Sequence, residues 1–463
     1  MRKTRTVMAS FDPGRGGWMC LMMMVASWAL APSALAAKRS APPPRPISTA
    51  QARRALAGHG YGALSVSCRS EHRRALCSWS GTRGSSGCSG RLSGMLTSAR
   101  KLRVTISGVR CHADVAAPAA PVPTLFGFNT YTTAQTVAMQ RDVGVTTTRL
   151  FVDWSQVEPS PGKWNWTTPD QSYQEILAGG LRPLLVADVA PCWAAPATGC
   201  NPAVASPPDA AHDAAWIAYV KQLVTRYPQA VGLEVWNEPN LAASFWPAPN
   251  PARYVQLLQE AYTAVKSVDP TMPVISGGVL MDDGTGSGAG GEASQTFLAA
   301  MYADGASAWM DGLGIHVYPV TVGRPELWDV SAMTRWLAQV QTLRQLAAVP
   351  DKPIWITEMG VSTSTEPGFP AALTPQQQAN DLLQMVSTAK ADPLIRAAMI
   401  DSLQDADPNL LEDLISNLSG SIDGDDVFFN EVSEGLGIFS NTWQVKPAAC
   451  VLSVFFHGTV AGC

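Results

Sequence analysis

The sequence predicts an α/β protein in which a (β/α)8 barrel follows a small, β-rich domain held together by disulfides. Three observations support this architecture. Strand-like and helix-like patterns alternate through residues 124–463, a strongly basic segment precedes them, and proline- and alanine-rich stretches flank that segment. The chain has 463 residues, of which 46% are hydrophobic, so it is long enough for more than one domain and apolar enough for a large core.

Eight short apolar runs in the C-terminal region have the composition of buried strands. Segments with apolar residues at spacings of three and four, such as AAWIAYVKQLVTRY, lie between them and predict helices. Eight such pairs in roughly 340 residues suit a barrel with long loops. A doubly wound open sheet is less favoured, because no glycine-rich turn follows the first run. The runs are LFGFN, TTRLFVDW, RPLLVADV, VGLEVW, MPVISGG, DGLGIHVY, KPIWITE and IRAAMIDSL.

Residues 1–37 have the features of a cleaved signal peptide. Three basic residues lie within the first five positions, an apolar stretch runs from Trp18 to Ala31, and Ala34-Leu35-Ala36 matches a small-x-small cleavage site. A membrane anchor is the alternative, but the stretch is shorter than the roughly 20 residues that a span needs. We therefore expect a secreted, extracellular protein without a membrane span after cleavage.

Eight cysteines remain once the signal peptide is removed, and an even number in an exported chain predicts disulfides. Three connectivities are open among the four cysteines of the small domain. Zinc is the alternative ligand, but no CxxC pair occurs and only His72 and His112 lie near these cysteines. From sequence proximity we favour the pairs Cys68–Cys77, Cys88–Cys111, Cys192–Cys200 and Cys450–Cys463.

Charge divides the mature chain into two parts. Residues 38–112 contain 14 Lys/Arg and one acidic residue, whereas residues 113–463 contain 15 Lys/Arg and 35 Asp/Glu. The net charges are therefore +13 and −20. A Pro-rich linker at 38–47 and an Ala/Pro linker at 113–123 flank the basic part, since such sequences form spacers rather than cores.

We assign a small accessory domain to residues 48–112 and the barrel to residues 124–463. The small domain shows strand-like alternation, and its size is one at which a core needs disulfide support. Its basic surface predicts binding to an anionic cell-wall polymer or polysaccharide, and a solvated spacer is the alternative. We expect a monomer and no nucleic-acid partner.

Two glutamates stand at the ends of predicted barrel strands. In LEVWNEPNL, the apolar run stops at a proline, which cannot extend the ladder and leaves Glu238 at the strand end. In IWITEMG, Glu358 ends the seventh strand in the same way. Because the carboxyl ends of barrel strands form one mouth, both side chains are expected to face it. Two carboxyl groups across a cleft are what cleavage of a glycosidic bond requires.

These motifs resemble those of the clan A glycoside hydrolases, in particular family 39 and, less closely, family 5. WNEPN is similar to the acid/base motif on the fourth strand and WITEMG to the nucleophile motif on the seventh. The segment Phe297–Pro319 resembles the helix and sixth strand that carry a His-x-Tyr pair, TTRLFVDWSQVEPSPGKWNW resembles the second strand and its loop, and KPAACVLSVF resembles the closing helix. The resemblance implies a retaining O-glycosidase that cleaves a β-linked oligo- or polysaccharide through a covalent intermediate.

The resemblance also implies individual roles. Glu238 would be the general acid/base and Glu358 the nucleophile. Asn237 would hydrogen-bond the sugar 2-hydroxyl, and Tyr318 would hold the nucleophile. His316 would support the same wall.

Three further side chains have a structural alternative. Arg149 would keep the nucleophile ionised, since a nearby cation favours a carboxylate, or it forms a buried salt bridge of the barrel. Trp193 and Trp154 would stack on sugar rings, or they pack in the core. Asp153 and Asp188 also end strands and rank lower as contacts to sugar hydroxyls.

Some features depart from the family pattern. The eighth strand, AMIDSLQD, offers no Trp where many clan members place a sugar platform. The loop Asp405–Glu434 is long and acidic, which is compatible with a lid, a disordered segment or, less favoured, a calcium loop. No cofactor and no metal are expected. The alternative functions are a catalytically silent carbohydrate-binding or wall-associated barrel, and a transglycosylase that shares the covalent intermediate.

Overall fold

The computed structural model describes residues 45–83, 86–97, 101–112, 123–196, 205–284, 291–319, 328–364, 373–407 and 434–463. The chain divides into two compact units, Met1–Ala119 and Ala120–Cys463, and this division lies within the predicted linker 113–123. The predicted signal peptide and most of the acidic loop 405–434 lie outside the described residues. None of the helices in the described ranges is long and apolar enough to cross a membrane.

The smaller unit is an antiparallel sheet with one helix. Its strands are β1 (Arg45–Pro46), β2 (Gly62–Glu71), β3 (Arg74–Arg83), β4 (Ser86–Leu96) and β5 (Leu102–His112). The long strands form a meander in which each pairs with the next, and β1 pairs with the end of β4. The predicted β-rich composition is confirmed. The predicted linker 38–47 extends too far, because β1 belongs to the sheet and Ile47 is 4% exposed in its core.

Helix α1 (Thr49–Gly58) was missed by the strand-based prediction. It begins at a capping box, in which the Ser48 side chain accepts from the backbone N–H of Gln51 and the Gln51 side chain accepts from that of Ser48. The helix buries Ala52 and Leu56 in the core of the small unit. Only one face of the sheet is therefore covered by the helix.

The larger unit is a closed barrel of eight parallel strands, as predicted. Its strands are β6 (Leu125–Asn129), β7 (Thr147–Asp153), β8 (Arg182–Asp188), β9 (Gly232–Asn237), β10 (Val274–Leu280), β11 (Leu313–Val317), β12 (Ile354–Met359) and β13 (Ile395–Asp401). Each strand pairs with the next in sequence, and β13 pairs with β6. This closure excludes the open sheet.

Helices connect the strands and pack around the barrel. They are α2 (Ala134–Val143), α3 (Trp154–Val157), α4 (Thr167–Ala178), α5 (Asp213–Arg226), α6 (Pro251–Val268), α7 (Ser294–Ala303), α8 (Ser331–Ala347), α9 (Pro375–Ala391) and a C-terminal helix, Pro447–Phe456, with short 3-10 turns at Ala210–His212 and Ala306–Ala308. The main core lies between strands and helices. A second apolar cluster, which includes Leu184, Ile275 and Met399, fills part of the barrel interior.

Two of the predicted disulfides are present, Cys68–Cys77 between β2 and β3 and Cys450–Cys463 at the C-terminal end. The other two predicted pairs, Cys88–Cys111 and Cys192–Cys200, each have one member outside the described side chains. The described member of each, Cys88 and Cys192, is disulfide-bonded.

Candidate active site

The two predicted carboxyl groups meet at the mouth of the barrel. Glu238 follows β9 directly and Glu358 lies in β12, so each projects from the carboxyl end of a strand. One carboxylate oxygen from each lies within 4.8 Å of the other and of a ring nitrogen of His316. Glu358 is 8% exposed and Glu238 is partly exposed, so the pair stands at the border between core and solvent.

The end of β9 is bent, and the bend sets the direction of Glu238. Trp236 and Glu238 have φ angles of 73° and 42°, in the left-handed region that non-glycine residues rarely adopt. Residues 234 and 236 would share a face in a regular strand. Instead, Glu234 contacts Arg149, whereas Trp236 packs against Trp216 on helix α5. A non-glycine residue in the left-handed region costs about 1–3 kcal/mol, and such residues concentrate at functional sites.

Arg149 donates hydrogen bonds to three side chains, one of which is the nucleophile candidate Glu358. Its Nε donates to Glu234 Oε2 at 2.8 Å, one Nη donates to Glu358 Oε1, and the other donates to Asn237 Oδ1 at 2.8 Å. Arg149 thus forms a fully buried salt bridge with Glu234 and also contacts Glu358, and its role toward a nucleophile stays a prediction. The contact to Asn237 Oδ1 leaves the Asn237 amide NH₂ to donate elsewhere.

His316 connects the two catalytic candidates. Its Nδ1 lies 2.8 Å from Glu238 Oε1 and 3.5 Å from Glu358 Oε2. Its Nε2 lies 3.1 Å from the hydroxyl of Thr357, and that hydroxyl donates its single proton to Glu234. The Thr357 oxygen must therefore accept, so Nε2 of His316 carries a proton.

The charges around His316 and Glu358 favour their ionised forms. Burial alone would lower the pKa of His316, but the carboxylates of Glu358 and Glu238 raise it above its ordinary value. Burial alone would likewise raise the pKa of Glu358. The opposing charges of His316 and Arg149 hold that pKa below its ordinary value. The buried site around Glu358 therefore favours its carboxylate form.

Tyr318 binds the same carboxylate from the other side. Its hydroxyl lies 2.6 Å from Glu358 Oε2, as the resemblance implied, and it also contacts Asp401 Oδ2 at the end of β13. Asn129 Nδ2 donates to the second Asp401 oxygen at 3.4 Å. Asp401 stands on the eighth barrel strand, which lacks the Trp of many clan members.

The two tryptophans behave differently from each other. The stacking prediction for Trp154 is wrong, because its indole is fully buried, stacks on Tyr219 and donates to Glu158. It begins helix α3 and points into the core. Trp193 is partly exposed, and its Nε1 donates to the backbone carbonyl of Glu158 at 2.8 Å. Stacking of Trp193 on a sugar stays a prediction.

The lower-ranked acids have structural contacts. Asp153 is the N-cap of α3 and accepts from the backbone N–H groups of Ser155 and Gln156. Asp188 is 5% exposed, and burial raises its pKa to about 8.

Three site residues escaped the sequence prediction. Glu234, Thr357 and Asp401 all contact one of the predicted residues. Glu234 and Thr357 lie inside apolar runs, four residues and one residue before the catalytic candidates. The available signal is the presence of these polar residues within a buried strand, since a buried polar or charged side chain requires a partner.

The cluster at the mouth satisfies the distance criterion for a metal site. Among the residues that the structure describes, Glu238, His316 and Glu358 form the one such group. The contacting atoms of all three already make hydrogen bonds to one another, to Arg149 or to Tyr318. The arrangement therefore fits acid–base and nucleophilic chemistry better than a resident cation.

No protein-family model matches the sequence, and no curated protein matches it. Solved structures do. A family 39 glycoside hydrolase from Bacteroides cellulosilyticus WH2 is 18% identical with a TM-score of 0.50, over 86% of this chain and 77% of that one. The barrel has the fold of the clan A glycoside hydrolases. Because the sequence identity is so low, the likeness to clan A shows the fold alone.

Two further clan A neighbours share this fold. A monomeric β-xylosidase from Caulobacter crescentus CB15 is 19% identical with a TM-score of 0.50, over 73% of this chain and 69% of that one. A family 5, subfamily 18 enzyme from Streptomyces cattleya, in complex with a Man-β1-4-GlcNAc disaccharide, is 15% identical with a TM-score of 0.53, over 73% and 82%.

Proposed function

We propose that the protein is a retaining glycoside hydrolase that acts on a β-linked oligo- or polysaccharide. The proximity of Glu238 and Glu358 carries the proposal, since one oxygen of each lies within 4.8 Å of the other. Retaining enzymes hold their carboxyl groups about 5–5.5 Å apart, whereas inverting enzymes need about 6.5–9.5 Å to admit a water molecule.

The contacts support one assignment of the roles. Glu358 is held ionised by Arg149 and His316, so it is the group able to attack the anomeric carbon. Glu238 is more exposed, and His316 is the one described hydrogen-bond partner of its carboxylate. It protonates the departing oxygen, and as a carboxylate it then removes a proton from the water that releases the sugar. The free NH₂ of Asn237 donates to the hydroxyl beside the anomeric carbon.

A screen of aryl glycosides and polysaccharides tests this function. Wild type should hydrolyse at least one substrate with retained configuration in the first-formed product, read by NMR, and Glu238→Gln should lose about 10²–10⁴-fold on unactivated substrates. Glu175→Gln, a change on helix α4, is the matched control and should behave like wild type. An inverted product contradicts the retaining mechanism, and binding without hydrolysis supports the silent barrel.

We also propose that the chain is exported. The disulfides Cys68–Cys77 and Cys450–Cys463 support this, because such bonds persist in oxidising compartments. The N-terminal sequence provides the second argument. Sequencing the N-terminus of the mature protein from culture supernatant tests it, and retention of an intact N-terminus in the cytosol contradicts it.

We further propose that the small unit binds a linear anionic polysaccharide. The sheet face opposite α1 presents exposed Ser, Thr and Arg side chains. Ser67, Ser78, Arg91 and Ser107 stand in register across four strands. Arg69 and Arg91 line one depression of about 470 Å³. The exposed arginines of this face are Arg69, Arg74, Arg91, Arg103 and Arg110.

Charge complementarity selects the partner, because residues 38–112 contain a single acidic residue, Glu71. In the full chain, Arg69→Ser with Arg91→Ser should weaken binding to polygalacturonate about tenfold at low salt, and added salt should reduce the difference. Exposed barrel arginines provide the control, Arg141→Ser with Arg335→Ser. Equal binding by both double variants contradicts the proposal.

A further inference from the structure

The hydroxyl of Tyr318 lies between two carboxyl groups. It is 2.6 Å from Glu358 Oε2 and also contacts Asp401 Oδ2. A phenol carries one proton and can donate to only one acceptor at a time. If both carboxyl groups were ionised, one of these two short oxygen–oxygen contacts would contain no proton and would be repulsive.

A second proton between the three oxygens removes the conflict, and the surroundings decide which carboxyl group carries it. Glu358 faces the guanidinium of Arg149 and the ring of His316, and both favour its charged form. Asp401 makes no salt bridge among the described residues. Its second oxygen accepts only the long contact from the Asn129 amide, 3.4 Å. The proton therefore belongs on Asp401.

We propose that Asp401 acts as a neutral acid that donates to the oxygen of Tyr318 and so directs the Tyr318 proton to Glu358. Asp401 is then a positioning residue for the nucleophile. This inference rests on the proposed function, because it assigns a task only if Glu358 attacks the sugar. Burial and the Glu358 charge support it independently, since they raise the pKa of Asp401 to about 7.

The charged and titratable groups that face Asp401 come from three strands and from the residue that follows β11. Glu358 on β12 opposes its ionisation, whereas Arg149 on β7 and His316 on β11 favour it. Tyr318 follows β11 and bonds to it directly. When Asp401 ionises, its carboxylate competes with Glu358 for the hydrogen bond that the Tyr318 hydroxyl donates, and it adds a like charge beside Glu358. Turnover is therefore lost as the pH rises through the Asp401 pKa.

An activated aryl glycoside isolates this effect. Its leaving group needs no protonation, so Glu238 does not set the alkaline limb of kcat/KM. Wild type should show an alkaline limb of kcat/KM near the pKa of Asp401. Two pH units above that pKa, kcat/KM should be about 100-fold lower. Asp401→Asn keeps a donor toward Tyr318 but cannot ionise. It should therefore be active at acidic pH and should show no alkaline limb of kcat/KM near the pKa of Asp401.

Two variants test whether the effect is specific. Asp401→Ala supplies no donor and should lose kcat at every pH, whereas Asp401→Asn should not. Glu260→Gln is the matched control, because burial raises the pKa of Glu260 to about 7 as well, on the outer helix α6. It should leave the profile unchanged. An alkaline limb that is identical in wild type and Asp401→Asn overturns the inference.

Infrared spectroscopy separates this inference from the proposed function. The difference between wild type and Asp401→Asn should contain the carbonyl band of a protonated carboxyl group below neutral pH, and Tyr318→Phe should shift that band. If no glycoside is hydrolysed but the band is present, the proposed function is wrong and the neutral Asp401 stands. If glycosides are hydrolysed and no such band appears, the inference is wrong. A poorly folded Asp401→Asn leaves the Tyr318→Phe shift as the deciding measurement.

Discussion

Gly278 on β10 lies directly against the imidazole of His316. A Cβ at this position would clash with His316 Nε2 and would fall 2.7 Å from the Thr357 hydroxyl. The backbone N–H of Gly278 also donates to Glu234 Oε1 at 2.9 Å. The absence of a side chain at Gly278 therefore leaves room for the His316 ring, which in turn bonds to Glu238, the proposed acid/base.

Gly278→Ala should displace His316 and misalign Glu238. A shift of about 1 Å at a catalytic group can cost about 10²-fold, and we expect a loss of that order in kcat/KM on the best substrate found. Gly58→Ala is the control, since nothing lies within 4 Å of a Cβ there. If Gly278→Ala folds and keeps kcat/KM within about twofold of wild type, the close contact has no bearing on catalysis.

The barrel and its two glutamates were predictable from sequence for a physical reason. Fully buried parallel strands read as continuous apolar runs, and a charged residue at the end of such a run, as at Glu238 and Glu358, has few structural explanations. His316 and Tyr318 were expected only from the resemblance of their segment to the sixth strand that carries a His-x-Tyr pair. The order of these motifs along the chain completed the prediction.

The side-chain directions were not predictable. The left-handed conformation of Trp236 breaks the alternation of β9, which depends on tertiary contacts rather than on local sequence. Trp154 was misassigned because β7 ends at Asp153 and α3 begins at the next residue, so the indole turns into the core. The contact between Asp401 and Tyr318 joins residues 83 positions apart and has no local signal.

Arg149→Lys should raise the pH at which activity is lost on the acid side. One ammonium group cannot serve Glu234, Glu358 and Asn237 together, so Glu358 loses part of the interaction that lowers its pKa. The nucleophile acts as a carboxylate, and its activity falls as the pH drops through that pKa. The acid limb of kcat/KM should therefore move upward relative to wild type.

Arg182→Lys provides the comparison for this charge-conserving change. Arg182 begins β8, and its side chain donates to the backbone carbonyls of Gln229 and Ala230, away from the mouth. The acid limb of kcat/KM in Arg182→Lys should coincide with that of wild type. An unchanged acid limb in Arg149→Lys would show that Arg149 has only a structural role.

The Cys450–Cys463 disulfide should stabilise the barrel unit. It ties the C-terminal helix to the end of the chain across a separation of 13 residues, and closing a loop of this length contributes about 2–3 kcal/mol. Replacing both cysteines by Ser should lower the free energy of unfolding by that amount, measured by urea denaturation. Replacing Cys68 and Cys77 by Ser should leave the barrel transition unchanged, because that bond lies in the other unit.

Replacing each of the two glutamates by Ala should impair a different step of the reaction. Glu358→Ala cannot form the covalent intermediate, so it should lose turnover on every substrate. Glu238→Ala should still react quickly with activated aryl glycosides, which need little protonation, but it should release the sugar slowly because the base that activates water is missing. Pre-steady-state kinetics should therefore show a burst of the aryl product in Glu238→Ala alone.

Azide supplies a nucleophile that needs no base, and the anomeric configuration of its product reports which step it rescues. In Glu238→Ala it attacks the glycosyl-enzyme, so the product should have the configuration of the substrate. In Glu358→Ala it attacks the substrate directly and should give the opposite configuration. NMR of the two glycosyl azides decides the assignment. Swapped configurations would mean that Glu238 is the nucleophile and Glu358 the acid/base, although Arg149 and His316 surround Glu358 with positive charge.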